Sequence, residues 1–228
     1  MKRSEINQAI HTLEKMLHKY SWSLPPFCSF TPKEWESKGH EFDEIRENRL
    51  GFDITDYGQG NFNRIGMSLI TLRNGNQKHP EKYPKTYAEK LLFLTEGQYS
   101  PNHFHWKKQE DIINRGGGNL LIRVHASLPN GDIDKESSVT LHLDGVVKEV
   151  PAGTQICLHP GESISIQQRL YHDFVVEPGT GPVLIGEVSQ CNDDETDNYF
   201  NPPVGRFPAI EEDEPPYRLL CQEYPPAP

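Results

Sequence analysis

Apolar side chains recur along this chain at two different periods, and the change of period divides it. Over SEINQAIHTLEKMLHKY, Ile6, Ile10, Leu13 and Leu17 are spaced by four, three and four residues, which puts them on one face of an amphipathic helix. Ser4 stands in the N-cap position, where its hydroxyl would accept an otherwise free backbone N–H. SLPPFCSF breaks this helix. Thr31 followed by Pro32 then predicts a second, short helix with Asn48 as its furthest reach, because a proline at the first helical position forfeits no hydrogen bond.

From Gly51 onward the pattern shortens. RIGMSLITLRNG, EKLLFLTEGQ, GNLLIRVHASLPNG, SVTLHLDG, QICLHPG, ISIQQRLYHDFVVEPG and GPVLIGEVS alternate or run continuously and are bounded by Gly, Asn, Asp and Pro, as short strands are. Turn signals recur at roughly 10 to 20 residues as far as Ser189, a density that suits an antiparallel sandwich or barrel rather than βαβ units. CNDDETDNYFNPPVGRFPAIEEDEPPYRLLCQEY is acidic and rich in proline, and reads as an irregular tail folded over the barrel before a last short strand at Tyr217 to Cys221. The expectation is one mainly β domain with one core, in which residues 1–50 form a helical extension and residues 51–228 form the barrel and its tail.

Composition supports this and removes several function classes. With 18 Gly and 19 Pro among 228 residues, regular elements must be short. The formal charge of −10 repels a phosphate backbone, so nucleic acid is not an expected partner. MKRSEINQAI lacks the apolar stretch of a signal peptide, and no segment approaches the roughly 20 apolar residues of a bilayer span; a soluble, cytoplasmic protein is expected. Cys28, Cys157, Cys191 and Cys221 are widely spaced with no CxxC pair, and read as reduced, structural thiols.

Chemistry concentrates in HFHWKKQE. His103 and His105 are two residues apart, so on a strand both imidazoles face the same way. Glu110 follows where the chain can turn back and return a carboxylate to that face. A fourth donor would complete an open octahedral site for Mn, Fe, Co or Ni, and His172 in RLYHDF on a later strand is the best candidate. The other seven histidines are read as packed or surface residues.

The pattern resembles the cupins. Their first signature is a Gly, five residues, His-x-His, three or four residues, Glu, six residues and Gly, and Gly97, His103, His105, Glu110 and Gly117 fall in that order and spacing. Their second begins Pro-Gly and ends in a His, here Pro160, Gly161 and His172; its internal proline is replaced by Gln167-Gln168-Arg169, and its usual Asn by Val176. HFHWKKQEDIINRGGGNL, the preceding TLRNG and YAEK, and the following GEVS with its NDD run are similar to the D-lyxose isomerase family of sugar-isomerase cupins over nearly the whole chain. That resemblance implies a cupin-type antiparallel β-barrel, or jelly roll, and a Mn-type ion held by His103, His105, Glu110 and His172. It also implies aldose–ketose interconversion, D-lyxose to D-xylulose and often D-mannose to D-fructose.

Around this set, Lys108 is read as a group that stabilises developing negative charge, and Glu187, flanked by apolar residues in LIGEVS, as the proton-transfer base with its pKa raised by burial. Glu110 is the alternative base. Lys90 in YAEKLLFL is read as a substrate contact. The Gly116–Gly118 run lacks a phosphate-binding pattern and reads as a tight turn, while NDDETD and EEDE lack calcium-loop order and read as solvated surface. Two rival functions remain open: a cupin dioxygenase built on the same ligands, and a sugar-binding cupin without turnover. Cupins commonly pair through edge strands, so a homodimer is expected.

Overall fold

In the computed structural model of the chain the opening helix, α1, runs Arg3–Lys19, and two short helices follow, α2 at Pro32–Trp35 and α3 at Asp43–Glu47. Fourteen strands complete the chain: β1 Gly51–Thr55, β2 Met67–Arg73, β3 Tyr87–Leu94, β4 Tyr99–His105, β5 Glu110–Gly117, β6 Leu120–Ser127, β7 Ile133–Asp134, β8 Val139–Leu143, β9 Val146–Val150, β10 Gln155–Leu158, β11 Ser163–Ile166, β12 Tyr171–Val176, β13 Val183–Gln190 and β14 Asn198–Phe200. They form an eight-stranded sheet ordered β1-β2-β3-β13-β5-β11-β8-β9 and a six-stranded sheet ordered β10-β6-β12-β4-β14 with β7 against β6. The strand pairs are antiparallel. This is the mainly β, cupin-type architecture that the sequence led us to expect. No helix is long and apolar enough to cross a membrane.

Alternation along the strands decides what faces the barrel interior. In β3, Leu92 and Leu94 enter the interior cluster with Met67, Leu69, Ile112, Phe174, Val183 and Ile185, whereas Leu91 and Phe93 face outward. The outward residues are covered by Ile6, Ile10, Leu13 and Leu17 of α1, which pack on Phe52, Ile54, Ile70 and Leu184. Two apolar clusters on opposite faces of one sheet therefore replace the single core expected. Both faces of its central strands are buried, so β3 reads as a continuous apolar run.

Other expectations require correction. The helix α1 begins at Arg3 with Lys2 as its cap; Ser4 lies inside, where its backbone N–H and hydroxyl both donate to Asp213 at 2.9 and 2.7 Å. Thr31 does cap α2, accepting from Glu34 N–H at 3.2 Å while Glu34 Oε2 accepts from Thr31 N–H at 2.7 Å, the reciprocal arrangement of a capping box. That helix stops at Trp35 and does not reach Asn48. The chain resumes past Gly39 as a 3₁₀ turn and α3. Tyr217 to Cys221 form no strand, and Cys221 makes one backbone bond, its N–H donating to Phe52 O at 2.8 Å. The ladder in the tail is β14, which pairs with β4 through Asn198–His105, Tyr199–Phe104 and Phe200–His103. The glycine run is the tight turn expected: Gly117 has φ +104°, and a Cβ there would meet Pro182 O at 2.0 Å. The four cysteines are free thiols.

Candidate active site

Interior-facing positions of five strands converge on one end of the barrel. His103 and His105 flank Phe104 on β4; the phenyl ring turns to the opposite face, where it lies against Tyr171 and Tyr199. His172 on β12 stands directly across from His103, and the two ring centres are 4.2 Å apart. The three imidazoles bring one nitrogen each to within 4.8 Å of one another, a group that can hold a metal ion.

Two of the three are oriented from behind. His103 Nδ1 lies 2.8 Å from Pro101 O and His172 Nδ1 lies 3.0 Å from Leu170 O, so each Nδ1 carries the proton and each Nε2 presents its lone pair to the centre. Glu110, the first residue of β5, places Oε1 3.4 Å from His105 Nε2 and 3.1 Å from His172 Nε2. Neither of those nitrogens completes a hydrogen bond. Buried acceptors without partners are rare, and a cation at their focus would satisfy them together. Burial and the other two imidazoles hold His103 well below the ordinary histidine value, and burial with the Lys108 charge lowers His105. Neutral imidazoles beside an ionised carboxylate are the protonation states ligation requires.

Behind the carboxylate runs a file of alternating charges. Lys108 Nζ bridges Glu110 Oε2 at 2.6 Å and Glu187 Oε1 at 2.8 Å. Glu187 Oε1 also takes Lys90 Nζ at 3.2 Å and the Ser189 hydroxyl at 3.1 Å. The contacts of Glu187 gather on one oxygen, so its Oε2 is left for an occupant of the cavity that Glu187 lines. Burial alone would lower the Lys108 ammonium, but the two carboxylates outweigh it and hold the group above the ordinary lysine value. Likewise burial would raise Glu187, yet Lys108 and Lys90 hold it below the usual glutamate range. The expected raised pKa of Glu187 is thereby overturned, because two ammonium groups brought together only by the fold share its oxygen. Glu110 is held still lower, burial being overridden first by Lys108. Lys108 is 2% exposed, so its ammonium is a buried charge rather than a solvated one. The loop that carries it is anchored by Asp197, whose two oxygens accept the Lys107 and Lys108 N–H groups at 2.7 and 3.0 Å.

The sequence model of the D-lyxose isomerase family matches residues 1–224. The chain belongs to the D-lyxose isomerase family. It is 44% identical over 225 residues to a D-lyxose/D-mannose isomerase of Serratia proteamaculans, covering 98% of each chain. A D-lyxose/D-mannose isomerase of Escherichia coli O157:H7 is similar to the same extent, 44% over 225 residues and 98% of each chain. The fold also resembles that of Cellulomonas parahominis L-ribose isomerase solved with L-ribose, with a TM-score of 0.59 and 14% identity over 92% of this chain and 98% of that one. The chain is thus a sugar isomerase by family.

This member of the family brings more residues to the cavity than its motifs announce. Asn192 Oδ1 accepts from Lys90 Nζ at 2.8 Å. Arg206, half-buried in the tail, donates from Nη2 to Asp53 Oδ2 at 2.6 Å and from Nε to Asp194 Oδ1 at 3.0 Å. Asp194 and Asp197 belong to the NDDETD run expected to be solvated surface; that expectation fails for both, since Asp197 is buried and the half-buried Asp194 meets Arg206. The EEDE stretch keeps exposed carboxylates but also ties the tail to α1 through Arg3, which donates to Glu212 at 2.6 Å. Asp53 carried a legible signal, a lone charge in the apolar strand GFDIT. Arg206 carried none, since nothing periodic surrounds it.

Proposed function

We propose that the protein interconverts D-lyxose with D-xylulose and D-mannose with D-fructose, at a divalent cation held by His103, His105, Glu110 and His172. Manganese is the ion the family resemblance implies, and a set of three borderline nitrogens and one hard oxygen equally admits cobalt, iron or nickel. The observation that carries this reading is the pair of partnerless Nε2 atoms beside Glu110, with Lys108 joining that carboxylate to Glu187. The bound cation would supply Lewis acidity toward the sugar carbonyl and its neighbouring hydroxyl.

The chain's own residues account for the rest. Glu187, held ionised by Lys108 and Lys90, takes the proton from one carbon through Oε2 and returns it to the next, with Glu110 as the alternative base. A carboxylate held low is a weak base, so the sugar carbon must be made acidic while it is deprotonated. Lys108 does this by placing a buried ammonium beside the enediolate oxygen, where little water screens it. Lys90 donates one N–H to Asn192 and pairs ionically with Glu187, which leaves N–H groups for a sugar hydroxyl. The cavity sets Lys90, Lys108, Glu110, Glu187, Asp194 and Arg206 beside apolar residues that include Leu92, Phe174 and Phe200, and its charged side offers a polyol hydrogen-bonding partners for several hydroxyls.

Anaerobic incubation of the Mn-loaded protein with D-lyxose in deuterated water should yield D-xylulose carrying deuterium at C1. Absence of ketose would sink the isomerase reading, and ketose without label would replace the enediol route by a hydride shift. For assembly we infer a homodimer paired through sheet edges; Val146 and Val147 of the edge strand β9 are 57% and 60% exposed. Sedimentation should therefore give twice the 26.1 kDa chain mass, and a single-chain mass across micromolar concentrations would exclude it.

A further inference from the structure

The file of charges that starts at the histidines ends at a second compartment. Contacts run outward from Glu110 to Lys108 at 2.6 Å, to Glu187 at 2.8 Å, to Lys90 at 3.2 Å and to Asn192 at 2.8 Å. Asn192 and Asp194 line the reaction cavity on one side and, on the other, a separate compartment of about 140 Å³. None of the 13 residues around that compartment is hydrophobic.

The junction is held rigidly by neutral amides. Asn192 N–H donates to Asn74 Oδ1 at 2.9 Å, Asn74 Nδ2 donates back to Asn192 O at 3.2 Å, and Asn48 Nδ2 donates to Asn74 O at 3.1 Å. Across the sheet, Thr71 pairs with Lys90 in the β2–β3 register and lines the outer compartment. It shares its strand face with Leu69, a residue of the reaction cavity.

We propose that this polar compartment receives the terminal hydroxymethyl group of a six-carbon sugar, so that Asn192 and Thr71 set the preference between hexose and pentose; the inference rests on the reaction proposed above. D-mannose and D-lyxose have the same configuration at C2, C3 and C4, and differ by the hydroxymethyl group on C5 of the hexose. Both therefore present the same reacting end to the histidines and Lys108. The extra group is at the far end of the sugar from the reacting carbons, and Asn192 stands at the far end of the file from the histidines. A hydroxymethyl group needs little more room than one water, about 30 Å³ of liquid volume, and it needs hydrogen-bonding walls, which amides, a threonine hydroxyl and ionic side chains supply. An apolar compartment would instead leave its hydroxyl unpaired.

The test compares kcat/KM for D-mannose and for D-lyxose in the Mn-loaded wild type, in Asn192→Gln and in Thr71→Leu. Each substitution adds bulk at the junction, and Asn192→Gln keeps the amide. One methylene in a fitted pocket changes discrimination by roughly 10-fold or more. The ratio of D-mannose to D-lyxose kcat/KM should thus fall about tenfold in each variant, with D-lyxose turnover as the control for folding and for any disturbance of Lys90. Equal loss on both sugars, or a ratio unchanged or shifted toward D-mannose, would overturn the inference. A wild type that converts neither sugar fails the proposed reaction itself, which separates the two failures.

Discussion

Lys108→Met is expected to lower kcat about 100-fold, equivalent to about 3 kcal/mol, the loss typical of one preorganised charge donor. The side chain keeps its length and loses its ammonium, which sits 2.6 Å from Glu110 and 2.8 Å from Glu187. KM should move much less, because the ammonium interacts with the enediolate more strongly than with the ground-state sugar. Stability should fall as well. Removing one partner of a buried ionic group costs about 3–5 kcal/mol where nothing replaces it, and less here because Lys90 still pairs with Glu187, so kinetics belong at a temperature where circular dichroism shows the variant folded. Bound manganese should remain near that of the wild type, since Glu110 then faces the cation without a competing ammonium. An exposed loop lysine would change kcat and KM by less than about twofold, and unchanged turnover would strike Lys108 from the mechanism.

The parts of this site that were legible in the sequence are those built on strand periodicity. His103 with His105, Glu187 and Lys90 all occupy interior positions fixed by alternation with their apolar neighbours, so a pattern of period two exposes them. Residues held by tertiary contacts alone gave no such pattern. Arg206 meets Asp53 across 153 residues of chain, and the tail between β14 and the C-terminus is positioned by scattered contacts rather than by a continuous ladder: Arg3 N–H donates to Glu211 O at 2.8 Å, the Arg3 side chain reaches Glu212 and Glu223, Ser4 reaches Asp213, and Asn7 reaches Glu214. Average composition misleads for the same reason. NDDETD is acidic as a whole, yet Asp194 and Asp197 each meet particular donors. At the end of α2, Trp35 stacks on Tyr224 with ring centres 4.0 Å apart, a contact with the far terminus that no local propensity encodes.

The converse outcome is expected of His172→Ala, which should lose the metal and with it the activity while the barrel remains folded. His172 is fully buried, its Nδ1 is fixed by Leu170 O at 3.0 Å, and its Nε2 has no other partner. Its removal deletes one donor and leaves His103 and His105 without the ring that packs against both. Loss of a residue that merely orients a ligand lowers metal affinity by about 10- to 100-fold, and loss of a ligand itself should lower it by at least 100-fold, about 2.7 kcal/mol. A direct readout follows from linkage, because an ion that binds only the folded state raises Tm with its concentration. Manganese should raise the Tm of the wild type and of Lys108→Met, and leave that of His172→Ala nearly unchanged at the same concentration. Full metal content and an undiminished Tm shift in His172→Ala would remove His172 from the ligand set. If Lys108→Met lost the Tm shift as well, the ammonium would be supporting the cation's carboxylate rather than the enediolate, and the division of labour between the two residues would have to be redrawn.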